Sequence, residues 1–516
     1  MSNAAAPAAG SNVSGGCAFQ FEEATVDAIQ QGFSNGSLTS TALVQFYLDQ
    51  IARLNPTLRA VIEVDPDAMA QAARADAERS ASSSGGRGAL HGVPVLLKDN
   101  MATHGDRLST TAGSLALHGS AVPRDAGVVA RLRRAGAVIL GKANLSEWSN
   151  FRPVQDGWSA RGGQTVVSRF LTLRHSQHLY IKNASNNCEI AKNPYVHSAT
   201  TGGSSAGPAV AAAANMAAVT LGSETDGSIL NPSSSNAVVG IKPTVGLTSR
   251  SGVIPIMPRQ DTIGPTCRTV SDVVHVLDAI VGFDELDAEA TQAASKYIPP
   301  GDYSQFLKVD GLRGKRIGVP PVFFRGQDGV HMAVYEKHLN TMRGLDIRTN
   351  MNDVNNQEDL QMRAEFKLSL NAYLSGLSQS PVRTLSEVIE FNNKHSVQER
   401  LKDFGQPDLI AAEKTNGIGP TERAAIRRLE EICNNGLEKV MKEHQLDAIV
   451  APNSAASSVL AVGGYPAIAV PAGYNNQGVP FAISFGGLKG YEPRLIEIAY
   501  AFEQATKVRR PPPLKR

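Results

Sequence analysis

The chain has 516 residues, of which 42% are hydrophobic and 19% are charged, and its formal net charge is +2. This composition is typical of a soluble globular protein with a large core, and the small net charge argues against nucleic acid or an anionic membrane as a bulk partner. No apolar run approaches the ~18 residues that a transmembrane helix needs. The four cysteines are scattered without a C-x-x-C pair, so we expect neither a disulfide framework nor a zinc site.

Both ends of the chain are predicted to be tails around one folded domain. Residues 1–21 begin with small and polar side chains and contain neither the basic nor the apolar part of a secretory signal. We therefore expect a disordered N-terminal tail and a cytoplasmic protein. The folded domain is predicted over residues 22–510, followed by a short C-terminal tail over residues 511–516.

The first part of the predicted domain alternates between helices and strands. Apolar residues recur with helical spacing over residues 39–54, which predicts a helix. The stretch VPVLLKDN, at residues 93–100, is an apolar run that becomes polar at Lys98, and it predicts a buried strand. A helix over residues 128–134 and a second buried strand over residues 137–140 follow. Strand, helix and strand at this spacing predict a parallel pair.

Strands and helices continue to alternate through the rest of the chain. Pro208 opens an alanine-rich helix, because proline is tolerated in the first turn of a helix. Further strands are predicted over residues 217–222, 316–319, 448–451 and 467–470, and further helices over residues 330–342, 422–442 and 493–508. The alternation therefore predicts one large α/β domain.

Two turns rich in serine and glycine flank the alanine-rich helix. They are TGGSSAGPAV at residues 201–210 and GSETDGSIL at residues 222–230. A serine hydroxyl is a weak nucleophile and needs a base, but the histidine nearest in sequence is His197, before the first turn. A more distant histidine could complete a Ser-His-Asp arrangement. Lys98 offers a base of another kind, because burial at a strand end disfavours the charged form of lysine and lowers its pKa.

The motifs LLKDN, GGSSAG and ETDGSI, in this order, resemble the signature of the amidase signature family, the Ser-Ser-Lys amide hydrolases. The resemblance extends from about Glu22 to Pro513. It implies the amidase-signature fold, which is α/β with a large, mixed and mostly parallel central sheet that helices cover on both faces. It implies Lys98 as the base, Ser204 as a relay that follows a cis peptide bond, and Ser228 as the nucleophile. Ser204 precedes Ser228 by 24 residues, which is the separation of relay and nucleophile in that family.

The same resemblance implies an oxyanion hole at the turn formed by Thr225, Asp226, Gly227 and Ser228. Glycine allows the backbone to approach a substrate closely. Backbone N–H groups of such a turn stabilise the negative charge that develops when an amide carbonyl is attacked. The chemistry that this family uses needs no metal ion and no cofactor, so we expect neither in this protein.

Within that family, NLSEWSNFR, GWSARGGQ and ETDGSI are most similar to the peptide amidase branch, whose members release ammonia from carboxy-terminal peptide amides. We therefore expect a serine amidohydrolase that acts on a small-molecule or peptide amide through an acyl-enzyme. Two alternatives remain open. One is the glutaminase subunit of a tRNA-dependent amidotransferase, against which ETDGSIL in place of DTGGSIR argues. The other is a catalytically silent binding protein with the same fold.

One segment interrupts the resemblance. Residues 166–192 are basic and aromatic and separate GWSARGGQT from NPYVHSAT, two stretches that are almost adjacent in the family. The segment is either a loop that shapes the pocket or sequence retained by an imperfect gene model. Its composition differs from that of both flanks and favours the second explanation. An insertion costs little stability, because loop-closure entropy grows by only about 0.6 kcal/mol per doubling of length.

Deletion of residues 166–192 is expected to preserve or improve folding and activity, because an excursion outside the core supplies no catalytic side chain. Thermal unfolding and the rate of amide hydrolysis measure both effects against the full-length chain. A deletion variant that folds but has lost activity would show that the segment belongs to the active site.

Overall fold

The structure is a computed structural model, and it describes residues 19–81, 88–162, 192–339 and 351–514. The first 18 residues and the last two lie outside these ranges. The predicted insertion also lies outside them, except for its last residue, Lys192.

Residues at both ends of the described chain pack against the core. Phe19 and Phe21, which the sequence-based prediction placed in the N-terminal tail, are partly buried against it. Phe21 stacks on Phe46 with ring centroids 4.9 Å apart. Leu514, which was predicted to lie in the C-terminal tail, is also partly buried against the core. The folded part therefore extends beyond residues 22–510 at both ends.

Ten strands form one sheet in the described part of the chain. They are β1 (Val61–Val64), β2 (Pro94–Lys98), β3 (Val138–Ala143), β4 (Val219–Glu224), β5 (Val239–Lys242), β6 (Thr262–Cys267), β7 (Ile317–Gly318), β8 (Ala448–Pro452), β9 (Ala467–Tyr474) and β10 (Pro480–Gly486). Their order across the sheet is β1-β3-β2-β4-β6-β5-β9-β10-β8-β7. Every residue of β2 to β6 is buried. Because successive side chains point to opposite faces, both faces of the central sheet are covered.

The fold is α/β with a mixed sheet, as predicted, but the prediction of a mostly parallel sheet is wrong. β2 pairs in parallel with β3 and β4, and β7 pairs in parallel with β8. The other six pairings are antiparallel. The strand–helix–strand pattern correctly predicted the parallel pair of β2 and β3. Each antiparallel pairing involves at least one of four strands that the sequence did not predict: β1, β5, β6 and β10. The strand β6 was missed partly because it contains Gly264 and Pro265, residues that are unusual inside strands.

Helices pack around this sheet. They are α1 (Val26–Ser34), α2 (Ser40–Leu58), α3 (Ala68–Ala81), α4 (Gly127–Arg134), α5 (Ala206–Ala213), α6 (Leu230–Ser235), α7 (Val270–Ile280), α8 (Ala288–Ala294), α9 (Pro321–Phe324), α10 (Gly329–Leu339), α11 (Met351–Ser375), α12 (Leu385–Lys394), α13 (Leu401–Phe404), α14 (Pro407–Glu413), α15 (Pro420–Cys433), α16 (Lys439–Glu443), α17 (Ser457–Val462) and α18 (Glu492–Thr506). Short 3₁₀ turns occur at Leu115–Leu117, Glu147–Asn150, Glu285–Asp287, Ser295–Tyr297 and Tyr303–Phe306, and a π-helical turn occurs at Asn434–Glu438. Across the described ranges, no helix is both long and apolar enough to cross a membrane.

Three elements bring the predicted site residues together. β4 lies beside β2 in the sheet and runs parallel to it, so that the carboxyl ends of both strands meet at one edge. Lys98 ends β2, and the turn that carries Ser228 follows β4. Helix α5 begins two residues after Ser204 and packs against β2, β3 and β4. All its residues are buried, and its small alanine side chains allow a close approach to the sheet.

The buried strands predict a stability experiment away from the site. Ile468 in β9 is completely buried, so Ile468→Ala is expected to lower the free energy of unfolding by about 2–5 kcal/mol. Val397→Ala is the control, because this side chain is 81% exposed and its loss should change stability by no more than about 0.5 kcal/mol. Urea denaturation measures both. Equal effects would contradict the placement of Ile468 in the core.

Candidate active site

Lys98 is completely buried at the carboxyl end of β2. Its Nζ lies 2.7 Å from the Ser204 Oγ, 3.1 Å from the Ser223 carbonyl oxygen and 3.0 Å from the Ser223 Oγ. Burial lowers the pKa of Lys98 from 10.5 to about 7, although the negative charges of Asp261 and Glu224 oppose the shift. A large fraction of this amine is therefore neutral near pH 7.

The three contacts of Lys98 suit a neutral amine. Such an amine has two N–H donors and one lone pair. The carbonyl and hydroxyl oxygens of Ser223 can accept the two N–H groups, which leaves the lone pair for the hydroxyl hydrogen of Ser204. Asn100 Nδ2 also donates a hydrogen bond to the Ser223 Oγ, at 2.9 Å, and thereby fixes this hydroxyl beside the amine. The arrangement can take a proton from Ser204.

Ser204 is fixed mainly through its backbone. The peptide bond between Gly203 and Ser204 is cis, and the Ser146 N–H donates to the Ser204 carbonyl oxygen at 3.0 Å. Ser204 itself is completely buried. The N–H of the next residue, Ser205, donates to the Ser228 carbonyl oxygen at 3.1 Å. The two serine turns are therefore joined directly to each other.

The turn that carries Ser228 is held by the carboxylate of Glu224. Glu224 Oε2 accepts hydrogen bonds from the N–H groups of Ile229, at 2.6 Å, and Leu230, at 2.9 Å. Ser228 is 7% exposed. Its hydroxyl makes no hydrogen bond to any residue in the described ranges, so it remains available to a substrate.

The four residues predicted for the oxyanion hole, Thr225 to Ser228, form one tight turn. Within the described part of the chain, their backbone N–H groups make no hydrogen bond. Gly227 has a φ of +74°, a left-handed conformation that favours glycine. Consecutive unpaired N–H groups in such a turn can bind an anion or stabilise a developing negative charge.

Side chains of this turn are also tied to neighbouring segments. The Thr225 hydroxyl donates to Asp261 Oδ1 at 2.5 Å, and the Ser458 hydroxyl donates to Asp226 Oδ2 at 2.7 Å. Asp261 Oδ2 in turn accepts from the N–H groups of Ile256 and Met257. These bonds connect the turn to the loop before β6 and to α17, and they fix its position.

A cavity of about 410 Å³ opens beside the turn. Asn100, Ser223 and Thr225 belong to its lining, whereas Ser204 and Ser228 do not. The cavity therefore reaches the site at Ser223, whose oxygens contact the Lys98 amine, and at Thr225, which begins the turn. One part of the lining is apolar and consists of Val253, Ile254, Pro255, Ile256, Pro258 and Ile263.

Four residues of the site were not predicted from the sequence. Asn100, Ser223 and Glu224 lie within LLKDN and GSETDGSIL, so their proximity to the predicted residues was a usable signal. Asp261 lies outside these motifs. An isolated aspartate in a loop has no sequence feature that would connect it to a turn in another segment.

The remaining polar clusters do not suit a metal ion. Among the residues that the structure describes, no three His, Cys, Asp or Glu side chains are grouped so that they could hold one. Cys267 and Cys433 are free and buried. Burial raises the pKa of Cys433 to about 12, so this thiol stays protonated at neutral pH.

Known proteins resemble this chain over nearly its whole length. The sequence model of the amidase family matches residues 42–461. A probable amidase of Arabidopsis thaliana is 52% identical over 507 residues, which cover 96% of this chain and 92% of the relative. The structure of the peptide amidase from Stenotrophomonas maltophilia matches with a TM-score of 0.84 and 41% identity, over 96% of this chain and 100% of that chain. A glutamyl-tRNA(Gln) amidotransferase subunit of Thermoanaerobacter pseudethanolicus is 28% identical, over 94% of this chain and 96% of the relative.

The family match contains every residue of the candidate site. Lys98, Ser204 and Ser228 all lie inside residues 42–461, and the matching solved structure has the same overall fold. The relative with 52% identity covers the chain almost completely. The chain therefore belongs to the amidase signature family and is an amide-hydrolysing enzyme.

Proposed function

We propose that this enzyme is a serine amidohydrolase that cleaves a carboxamide to a carboxylic acid and ammonia through an acyl-enzyme on Ser228. In this proposal Lys98 is the base and Ser204 relays the proton. The observation that carries it is the 2.7 Å contact between the buried amine of Lys98 and the hydroxyl of Ser204. A lysine with a pKa of about 7 can accept a proton at neutral pH, which an exposed lysine does rarely.

The proposed reaction begins when the Ser228 oxygen attacks the carbonyl carbon of the substrate. The Ser228 proton passes to Ser204 as the Ser204 proton passes to Lys98. The Lys98 ammonium then returns a proton through Ser204 to the leaving nitrogen, the C–N bond breaks, and ammonia departs. Water attacks the acyl-enzyme along the same proton route and regenerates Ser228. Catalytic hydrogen bonds often shorten only when substrate binds, so we expect the contact between Ser204 and Ser228 to close in that complex.

The turn at residues 225–228 is the proposed oxyanion hole. Attack on the amide places a negative charge on the carbonyl oxygen, and the unpaired N–H groups of this turn are suited to stabilise it. Glu224 supports this role indirectly, because it binds the N–H groups of the two residues that follow the turn. The turn therefore needs little reorganisation when the charge develops.

A carboxy-terminal peptide amide, or the amide of a single acylated amino acid, is the proposed substrate. The 41% identity to a peptide amidase over nearly the whole chain supports this choice. The cavity volume of about 410 Å³ also lies in the range of pockets that hold a small organic molecule. The cavity is much larger than the leaving group, ammonia. We therefore assign the cavity to the acyl side of the scissile bond.

A glutaminase subunit of a tRNA-dependent amidotransferase is the second candidate, because a subunit of such an enzyme is 28% identical to this chain over 94% of its length. It would use the same side chains but would depend on partner subunits. Assays of the purified chain separate the two candidates. Ammonia release from N-acetyl-leucinamide without any partner favours the peptide amidase proposal, whereas glutamine hydrolysis that requires added partner subunits favours the second candidate.

The pH dependence of the reaction tests Lys98 as the base. We expect kcat/KM to rise with pH through an apparent pKa of about 7, because protonated Lys98 cannot accept a proton and its neutral form can. Lys98→Arg is expected to lose activity by orders of magnitude, since arginine stays protonated in proteins. Initial rates of ammonia release between about pH 5 and pH 9 provide the profile. A flat profile on the acid side, or an active arginine variant, would contradict the assignment.

The two proposed serine roles predict different defects. Ser228→Ala is expected to abolish turnover, because no other group replaces the nucleophile, and to abolish labelling by a fluorophosphonate probe. Ser204→Ala should reduce the rate less, because a water molecule can take the place of a relay. Steady-state kinetics, mass spectrometry of the labelled protein and thermal unfolding measure the three consequences. Near-wild-type hydrolysis by a folded Ser228→Ala variant, or a wild-type protein that the probe does not label, would contradict the assignment of Ser228 as the nucleophile.

A further inference from the structure

We propose that the carboxylate of Asp261 is a positioning group of the proposed reaction: it holds the oxyanion turn at residues 225–228 against the wall of the cavity, and it supplies the negative charge that balances Lys98 when this amine takes up a proton. The role rests on the proposed function and deepens it, because it names a group that controls the base. Asp261 lies outside the sequence motifs of the site, so only the tertiary structure brings it there.

The sheet places Asp261 at the edge where the reacting groups lie. β4 lies between β2 and β6, and its last residue, Glu224, pairs with Thr262, the first residue of the antiparallel strand β6. Asp261 directly precedes Thr262, and Lys98 ends β2, so the two side chains approach the end of β4 from opposite sides. Two strand spacings amount to about 10 Å, a separation that Lys98 shortens when its amine reaches Ser223 of β4.

Both carboxylate oxygens of Asp261 accept hydrogen bonds. Oδ1 accepts from the Thr225 hydroxyl at 2.5 Å, and Oδ2 accepts from the N–H groups of Ile256, at 2.8 Å, and Met257, at 3.0 Å. An ionised carboxylate can only accept, and its hydrogen bonds are stronger than those between neutral groups. Asp261, Thr225 and Ile256 all line the cavity. The carboxylate therefore joins the first residue of the oxyanion turn to the apolar wall of the cavity.

Near Asp261 lie a cation, Arg250, and a buried carboxyl group, Glu358. Burial raises the pKa of Asp261, whereas its three hydrogen bonds and the positive charge of Arg250 oppose the rise. The Arg250 guanidinium also pairs with Asp287, with Nη2 and Oδ1 2.5 Å apart. Glu358 of α11 accepts from Gln260 Nε2 at 2.5 Å. Burial raises the pKa of Glu358 well above its ordinary value, which favours the neutral form of this carboxyl group.

Two carboxylates act on the Lys98 amine. Burial lowers the pKa of Lys98 to about 7, and the charges of Asp261 and, to a smaller extent, Glu224 oppose this shift. Among the described residues, Asp261 and Lys98 form no ion pair, so the charge acts through space across an interior that screens it weakly. Asp261 therefore stabilises the ammonium form of Lys98.

This stabilisation matters in the step in which Lys98 takes the proton of Ser204. Burial makes the ammonium form unfavourable, and an anion that is already in place offsets this without reorganisation of the site. Asp261 thus makes Lys98 a stronger base, and it also raises the pH at which the amine loses its proton. Because the same carboxylate binds Thr225, the charge and the oxyanion turn keep a fixed relation to each other.

Asp261→Asn tests the charge with little change in shape. The amide oxygen of the variant can accept from Ile256 and Met257, and its amide nitrogen can donate to the Thr225 hydroxyl. With N-acetyl-leucinamide, we expect the acid limb of the pH profile of kcat/KM to move to lower pH by about 0.5 to 1 unit, which is less than for charges in contact. The plateau should fall by about 3- to 10-fold, because the amine is a weaker base. Initial rates of ammonia release measure both effects.

Thr225→Val separates the two tasks, because it removes the hydroxyl that binds Asp261 and leaves the charge in place. The turn then lacks one hydrogen bond to a charged group, so kcat should fall by about 10-fold, whereas the acid limb should stay at the wild-type pH. A carboxylate that only stabilised the fold would give the same acid limb in both variants. Thermal unfolding verifies that each variant is folded.

Asp287→Asn is the matched control. It removes a carboxylate from the lining of the same cavity, but this carboxylate is paired with Arg250 and its charge does not contribute to the pKa of Lys98. The acid limb of this variant should therefore remain at the wild-type pH.

An acid limb that stays in place in Asp261→Asn, or that moves equally in Asp287→Asn, would overturn the inference. If Asp261→Asn does not fold, Asp261→Ser removes the same charge with a smaller side chain, and the same shift is required of it. A wild type that releases no ammonia from N-acetyl-leucinamide would instead reject the proposed function.

Discussion

The burial of the Lys98 amine is the constraint on which the rest of the site depends. A charged amine in an apolar interior is costly, so burial favours the neutral form. The amine nevertheless needs hydrogen-bond partners, and Ser223 and Ser204 provide them. Because β2 and β4 run parallel, Lys98 at the end of one strand meets Ser223 of the other. The sheet thus both lowers the pKa of the amine and supplies the oxygens around it.

Burial alone does not create such a base. Lys142 and Lys242 are also completely buried, and burial lowers the pKa of each to about 8. Lys142 donates to the Met101 carbonyl oxygen at 2.6 Å and to a threonine hydroxyl, and Lys242 donates to the Tyr465 carbonyl oxygen at 2.6 Å. Neither amine contacts a serine of the two turns. Lys98 differs from both in its neighbours. Its lone pair can accept the proton of the Ser204 hydroxyl, which is the proposed relay to the nucleophile Ser228.

Two buried acidic groups give the site its rigidity in different ways. Glu224 binds backbone N–H groups directly after the proposed oxyanion turn, whereas Glu147 acts through Arg152 on the turn that carries Ser149. Both keep backbone in a defined position before substrate binds. Such preorganisation reduces the reorganisation that binding and charge development require.

The sequence by itself determined the family and the candidate reacting residues. Each of these residues lies within a short motif of consecutive residues, namely LLKDN, GGSSAG or ETDGSI, and such a motif can be recognised without the tertiary structure. The alternation of strand and helix in the sequence also predicted the parallel pair of β2 and β3. Only the tertiary structure decided the antiparallel majority of the sheet, the contact of Lys98 with Ser223, and the cavity where α11 meets the turn at Ser149. Periodicity records which face of an element is apolar. It does not record which distant segment covers that face, because sheet pairing and helix packing arise between residues that are far apart in the chain.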